Sequence, residues 1–191
     1  MNHQVMRNDV EKILISEEKI KVRVKDLAAA ISADYQDKDV VMVGILTGAV
    51  CFYVDIIKEM DIYIEMNFMR VSSYYHGTKS SENIRIVYDL EAAVEGRHVL
   101  IIDDIIDSGV TLMSLKQLME NRGAASVKSC VLLDKPARRV VEIDADYVGF
   151  KIPDEFVVGY GLDYEGKYRN LKFVGTLKPK IYELAGEFKG D

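Results

Sequence analysis

Apolar residues recur at Ile20, Val24, Leu27, Ala28, Ile31 and Tyr35. This 3.6-residue period predicts a helix with one buried face. Ser16 stands where an N-cap belongs, and Glu17 and Glu18 put negative charge in the first turn, where the macrodipole favours it. Glu11 to Ile15 reads as a short strand before that helix. The rhythm then changes: Val40 to Leu46 (VVMVGIL) is a nearly continuous apolar run, the pattern of a strand covered on both faces. Thr47-Gly48-Ala49 turns the chain into a helix over Val50–Met60. Strands are predicted over Ile62–Val71, Asn83–Tyr88, Arg97–Asp103 and Ser126–Leu133. A helix is predicted over Thr111–Arg122, ended by Gly123. Ser72 to Asn83 is polar and aperiodic and reads as a mobile loop. From Pro136 onward the apolar pieces are short and broken. The alternation predicts a single α/β domain: a mostly parallel central sheet flanked by helices over about 36–135, with a small appended hood from the N-terminal segment and about 136–191.

Composition narrows the class. The chain has 191 residues, 49% hydrophobic and 29% charged, enough for a sizeable core, and its net charge of −6 leaves no basic footprint for nucleic acid. The first fifteen residues mix charges, and no stretch has the length and apolarity of a membrane span, so a cytoplasmic protein without membrane contact is expected. Cys51 and Cys130 lie in apolar surroundings with no CxxC spacing. No histidine has a partner at metal-ligand spacing.

The most informative stretch is VLIIDDIIDSGVT, Val99 to Thr111. Ligands of parallel α/β sheets sit beyond the carboxyl ends of the strands. There this run delivers Asp103 and Asp104, and then Asp107-Ser108-Gly109-Val110-Thr111 enters a helix. A helix N-terminus with small residues and hydroxyls suits an anion such as phosphate. The carboxylates suit sugar hydroxyls, or magnesium arriving with phosphates. A phosphorylated ribose uses every residue. An isolated Asp-Ser-Gly is usually only a cap and turn; the full order of buried strand, paired acids, turn and helix is far more restrictive.

With those residues in view, the stretch resembles the ribose-phosphate signature of the type I phosphoribosyltransferases, most closely the hypoxanthine-guanine branch. The resemblance implies the fold of that family and transfer of a ribose phosphate from phosphoribosyl pyrophosphate to a 6-oxopurine. Hypoxanthine, guanine and xanthine remain open as the base, and a non-catalytic regulatory protein of the same fold is the remaining alternative. The resemblance implies roles residue by residue. Asp103 and Asp104 would hold the ribose, Ser108, Gly109 and Thr111 the 5′-phosphate, and Asp107 would be general acid/base near the purine N7. In ILTGA, Leu46, Thr47 and Gly48 would bind pyrophosphate through backbone amides, with a cis Leu46–Thr47 peptide. In VSSYYHGTKSS, Ser73 and Tyr74 would belong to a lid. In LLDKPARR, Lys135 would read the 6-oxo group. In FVVGYGLDYEGKYRNL, Phe156 would stack on the base, the Val157 backbone would meet its edge, Asp163 would hold magnesium beside the purine site, and Arg169 would bind pyrophosphate. Magnesium would be held by Asp163 with Asp103 and Asp104. Relatives form dimers and tetramers, so a homodimer or homotetramer is implied. One departure stands out: the family's acidic pair is usually Glu-Asp, and Asp103 is shorter by one methylene.

Overall fold

The computed structural model describes residues 4–73 and 84–182. The elements in chain order are α1 (Gln4–Arg7), β1 (Val10–Ile15), α2 (Glu17–Asp34), β2 (Val40–Leu46), α3 (Val50–Lys58), β3 (Glu65–Ser73), β4 (Ile84–Tyr88), β5 (His98–Ile106), α4 (Val110–Asn121), β6 (Ser126–Asp134), a 3₁₀ turn (Pro136–Arg138), β7 (Tyr147–Lys151) and β8 (Val174–Leu177). They divide into two compact units, Arg23–Asp154 and Met1–Val22 with Glu155–Asp191.

The larger unit is built on a six-stranded sheet in the order β4-β3-β2-β5-β6-β7. Neighbours from β3 to β7 pair in parallel, and β4 alone runs antiparallel, at the edge beside β3. Every residue of β2 from Val40 to Ile45 is buried, as an apolar run covered on both faces requires. On one face Val41, Val43, Val99, Ile101 and Val131 pack with Leu112, Leu115 and Met119 of α4. On the other, α3 brings Tyr53 over Gly44, where an added Cβ would lie 2.8 Å from the ring, and the Tyr53 hydroxyl donates to the Met42 carbonyl at 3.1 Å. The five periodic positions within α2, and Tyr35 just after it, are buried.

The smaller unit pairs β1 with β8 antiparallel and packs Val158, Tyr168, Leu171, Phe173 and Leu177 into its own core. Ser16 caps α2 as expected, its hydroxyl accepting from the Lys19 amide at 3.4 Å.

Several boundaries differ from the sequence reading. The third strand begins at Glu65 rather than Ile62, and it continues through Ser72 and Ser73. The rest of the expected loop lies outside the described residues. The central strand runs three residues past Asp103, to Ile106, because Asp103, Ile105 and Ile106 keep their ladder partners on β6 after β2 has ended its pairing at Ile102. Tyr147–Lys151, expected in the appended region, is instead a sixth strand of the central sheet, where Val148 and Phe150 pair with Val131 and Leu133. The larger unit, Arg23–Asp154, thus includes β7 and most of α2. Among the described residues, no helix is long and apolar enough to cross a membrane.

Candidate active site

In the larger unit the expected residues converge at the carboxyl edge of β2, β5 and β6. Asp103 and Asp104 lie within β5, both half-buried. The Asp104 amide donates to Asp103 Oδ1 at 2.9 Å, and the Ile105 amide donates to Asp104 Oδ1 at 2.9 Å. A one-methylene side chain reaches its neighbour's amide, so the shortened Asp103 folds back along its own strand. Burial, and then the adjacent Asp104 charge, push the Asp103 carboxyl well above the usual carboxylate range. A cation or a set of hydroxyl donors beside the pair would offset that cost.

The turn after β2 leans against the same acids. The Leu46–Thr47 peptide is cis. Thr47 is exposed, and Gly48 lies directly under Asp104: a Cβ there would sit 1.6 Å from Oδ2. The turn leads into α3, whose N-cap Ala49 makes no side-chain cap bond. Within this turn the Val50 amide donates to the Thr47 carbonyl and the Ala49 amide to the Ile45 carbonyl, both at 3.3 Å.

The second anion cradle is the start of α4. Its N-cap is Gly109 at φ 86°, a left-handed conformation that L side chains rarely adopt. Ser108 Oγ accepts from the Val110 amide at 3.4 Å, and Thr111 is half-buried in the first turn. Asp107 is exposed. Lys135 is 7% exposed; its amide donates to the Ile106 carbonyl at 3.0 Å, and its Nζ stands 3.9 Å from Asp154.

The sequence reading missed Arg139 altogether. Its Nη1 donates to the Asp107 carbonyl at 3.0 Å, and its Nη2 donates to Asp134 Oδ1 at 2.5 Å. The DKPARR run carries the residue, yet only the pairing of β5 with β6 brings residues 134 and 107 within reach of one side chain.

In the smaller unit, Phe156 is 52% exposed, whereas Val157 is buried. Phe156, Tyr164 and Tyr182 meet edge to face, with centroids 5.8, 6.0 and 5.2 Å apart. Asp163 opens a tight turn whose middle residues, Glu165 and Gly166, both have positive φ. Its Oδ2 accepts from the Gly166 amide at 2.7 Å, and its Oδ1 meets Arg169 Nη2 at 2.6 Å. Arg169 Nη1 donates to the Gly161 carbonyl at 2.6 Å. The expected metal ligand and the expected pyrophosphate ligand thus hold each other. Of the lid pair, Ser73 is the last residue of β3 and Tyr74 lies outside the described residues.

Magnesium prefers oxygen ligands and commonly takes one or two carboxylates, completing its shell with water and phosphate oxygens. The adjacent carboxylates of Asp103 and Asp104 fit that demand, whereas both oxygens of Asp163 are already engaged. Among the described residues, no group of three or more His, Cys, Asp or Glu side chains forms an all-protein cage.

Comparison with known proteins agrees with this chemistry. The profile of the phosphoribosyl transferase domain matches residues 11–165. The hypoxanthine-guanine phosphoribosyltransferase of Bacillus subtilis is 53% identical over 94% of this chain and 99% of its own length. The crystal structure of a Staphylococcus aureus hypoxanthine phosphoribosyltransferase superposes with a TM-score of 0.91 at 48% identity, over 95% of this chain and 99% of that one. The hypoxanthine phosphoribosyl transferase of Trypanosoma cruzi, from a study of its C-terminal region in oligomeric state and activity, gives a TM-score of 0.89 at 36% identity, over 98% and 99% of the two chains. A strand that ends in paired acids, a glycine-capped helix and relatives matched from end to end lead to one conclusion: this chain belongs to the phosphoribosyltransferase family, in its hypoxanthine-guanine branch.

Proposed function

We propose that this chain transfers the 5-phosphoribosyl group of phosphoribosyl pyrophosphate to N9 of hypoxanthine or guanine, forming IMP or GMP and releasing pyrophosphate. The observation that carries the reading is the run of Asp103, Asp104 and Asp107 into the glycine-initiated start of α4. Acids for the sugar and an anion cradle for its phosphate stand there in consecutive residues.

In the reaction the bond from the anomeric carbon to the pyrophosphate oxygen breaks as the bond to N9 forms, and the purine loses one proton. The α4 amides with Ser108, Gly109 and Thr111 hold the 5′-phosphate. Asp103 and Asp104 accept from the ribose hydroxyls and face the positive charge that develops on the sugar. Leu46, Thr47 and Gly48 present amides to pyrophosphate, and Arg169 adds a fixed cationic fork. Asp107 handles the purine proton at N7. Lys135 donates to the 6-oxo oxygen, which disfavours a 6-amino base. Phe156 stacks on the ring, and the Val157 backbone meets its edge. Ser73 and Tyr74 form part of a lid that keeps water from the reacting centre. Asp103 and Asp104 would hold magnesium, which when bound would neutralise the pyrophosphate charge; Asp163 is the other candidate ligand.

The setting we propose is a cytoplasmic homodimer or homotetramer; the exposed apolar residues Tyr63, Met66, Val87 and Tyr88 support burial against a second copy. The testing experiment is a pyrophosphate-release assay with magnesium and phosphoribosyl pyrophosphate, run separately with hypoxanthine, guanine, xanthine and adenine. Turnover with the first two and silence with adenine is expected. A xanthine preference would redirect the substrate assignment, and silence of folded protein with all four would overturn the reading.

A further inference from the structure

We propose that Arg139 is a positioning residue for the reaction: it holds the Asp107–Gly109 turn in its working place without touching substrate. The inference rests on the proposed function of that turn.

The turn's own sequence supplies only one long side-chain bond, from the Val110 amide to Ser108 Oγ at 3.4 Å, since the N-cap of α4 is Gly109, which has no side chain. What grips it comes from the segment after β6. The Arg139 guanidinium spans two partners, the backbone carbonyl of Asp107 at 3.0 Å and the carboxylate of Asp134 at 2.5 Å. The Val140 amide donates to the Ser108 carbonyl at 3.0 Å, one residue further along each strand of the grip. The stem of Arg139 lies against the glycine: a Cβ on Gly109 would meet its Cδ at 2.9 Å, with Ile143 at 2.7 Å and Val141 at 3.0 Å.

The Arg139 and Asp134 side chains are only 14% and 6% exposed. A charge pair this far from water gains little net stability, because desolvation consumes most of the attraction. Its geometry, by contrast, is specific. A guanidinium offers donors in a rigid fork, so one side chain serves a carboxylate and a carbonyl at once; an ammonium offers a point charge on a flexible stem. Asp134 also precedes Lys135, the reader of the 6-oxo group. The fork therefore ties the residue that handles the purine proton to the strand end that carries the base-reading lysine, fixing the distance between two contacts to one planar base.

Three variants test this. Arg139→Lys keeps the charge opposite Asp134 and loses the fork. Asp134→Asn/Arg139→Gln removes both charges and leaves neither orphaned. Arg139→Ala opens a space the size of a guanidinium ion. The expected result is that all three fold, with kcat lowered about tenfold or more and KM for the base changed much less, because a small misplacement of Asp107 is felt mainly in the transition state. Added guanidinium should restore Arg139→Ala, and added ammonium should not. Wild-type kcat in Arg139→Lys would overturn the inference. So would a loss in folded Arg139→Ala that guanidinium leaves unchanged, since that would mark a merely structural residue. Failure of the proposed function would look different, because the unaltered protein would then be silent with every base.

Discussion

The carboxylate of Asp104 occupies the space where Gly48 lacks a side chain, 1.6 Å from the position a Cβ would take. The turn assigned to pyrophosphate and the strand end assigned to ribose thus pack directly against each other. Gly48→Ala must displace the carboxylate or the turn. It is expected to lower kcat/KM by roughly a hundredfold, the scale of an ångström-sized misplacement, while the melting temperature changes by a few degrees at most. Steady-state kinetics beside a thermal melt checks this, and an active Gly48→Ala enzyme would show that the turn yields freely.

The raised pKa of Asp103 has a consequence for stability. A carboxyl whose pKa is higher folded than unfolded costs nothing below the unfolded value near 4, and destabilises increasingly as pH rises through the folded value. Burial first, and the Asp104 charge second, place Asp103 in this class. Asp103→Asn should therefore stabilise the ligand-free protein at neutral pH, by on the order of 1 kcal/mol, with the gain shrinking toward pH 4. Melts across pH in the presence of a chelator measure it; a gain that grows on acidification would refute the sign.

Lys135 should set base choice. Replacing it by Met removes a charge-assisted hydrogen bond worth about 1.5–3 kcal/mol, or roughly tenfold to a hundredfold in kcat/KM with hypoxanthine. The loss with adenine should be smaller. Paired assays with the two bases give the ratio, and equal losses would argue against a contact to the 6-oxo group.

Phe156 is held edge to face by Tyr164 and Tyr182. Phe156→Ala should raise KM for the base and leave KM for phosphoribosyl pyrophosphate nearly unchanged. Tyr182→Ala should do the same more weakly, by about 0.5–1.5 kcal/mol, the scale of one aromatic pair. Tyr182→Phe should restore the ring contact. A Tyr182→Ala variant with unaltered KM for the base would show that Phe156 keeps its place alone.

Local pattern alone determined much of this protein. The α2 face from Ile20 to Tyr35, the β2 run from Val40 to Leu46 and the cap at Ser16 follow from side-chain periodicity and backbone chemistry within a few residues, and each stands where it was expected. The acids, the turn and the α4 start are likewise consecutive in the chain, so their grouping at one strand end could be expected before any fold was known. The tertiary structure decided what depends on distant partners. Tyr147–Lys151 became an edge strand of the central sheet because β6 offered it a free edge, information absent from its own five residues. Arg139 became part of the site because a 32-residue separation from Asp107 is closed only by the β5–β6 ladder. Gly48 met Asp104 for the same reason, across β2 and β5. Periodicity reports which face of an element seeks burial; it carries nothing about which other element supplies the cover.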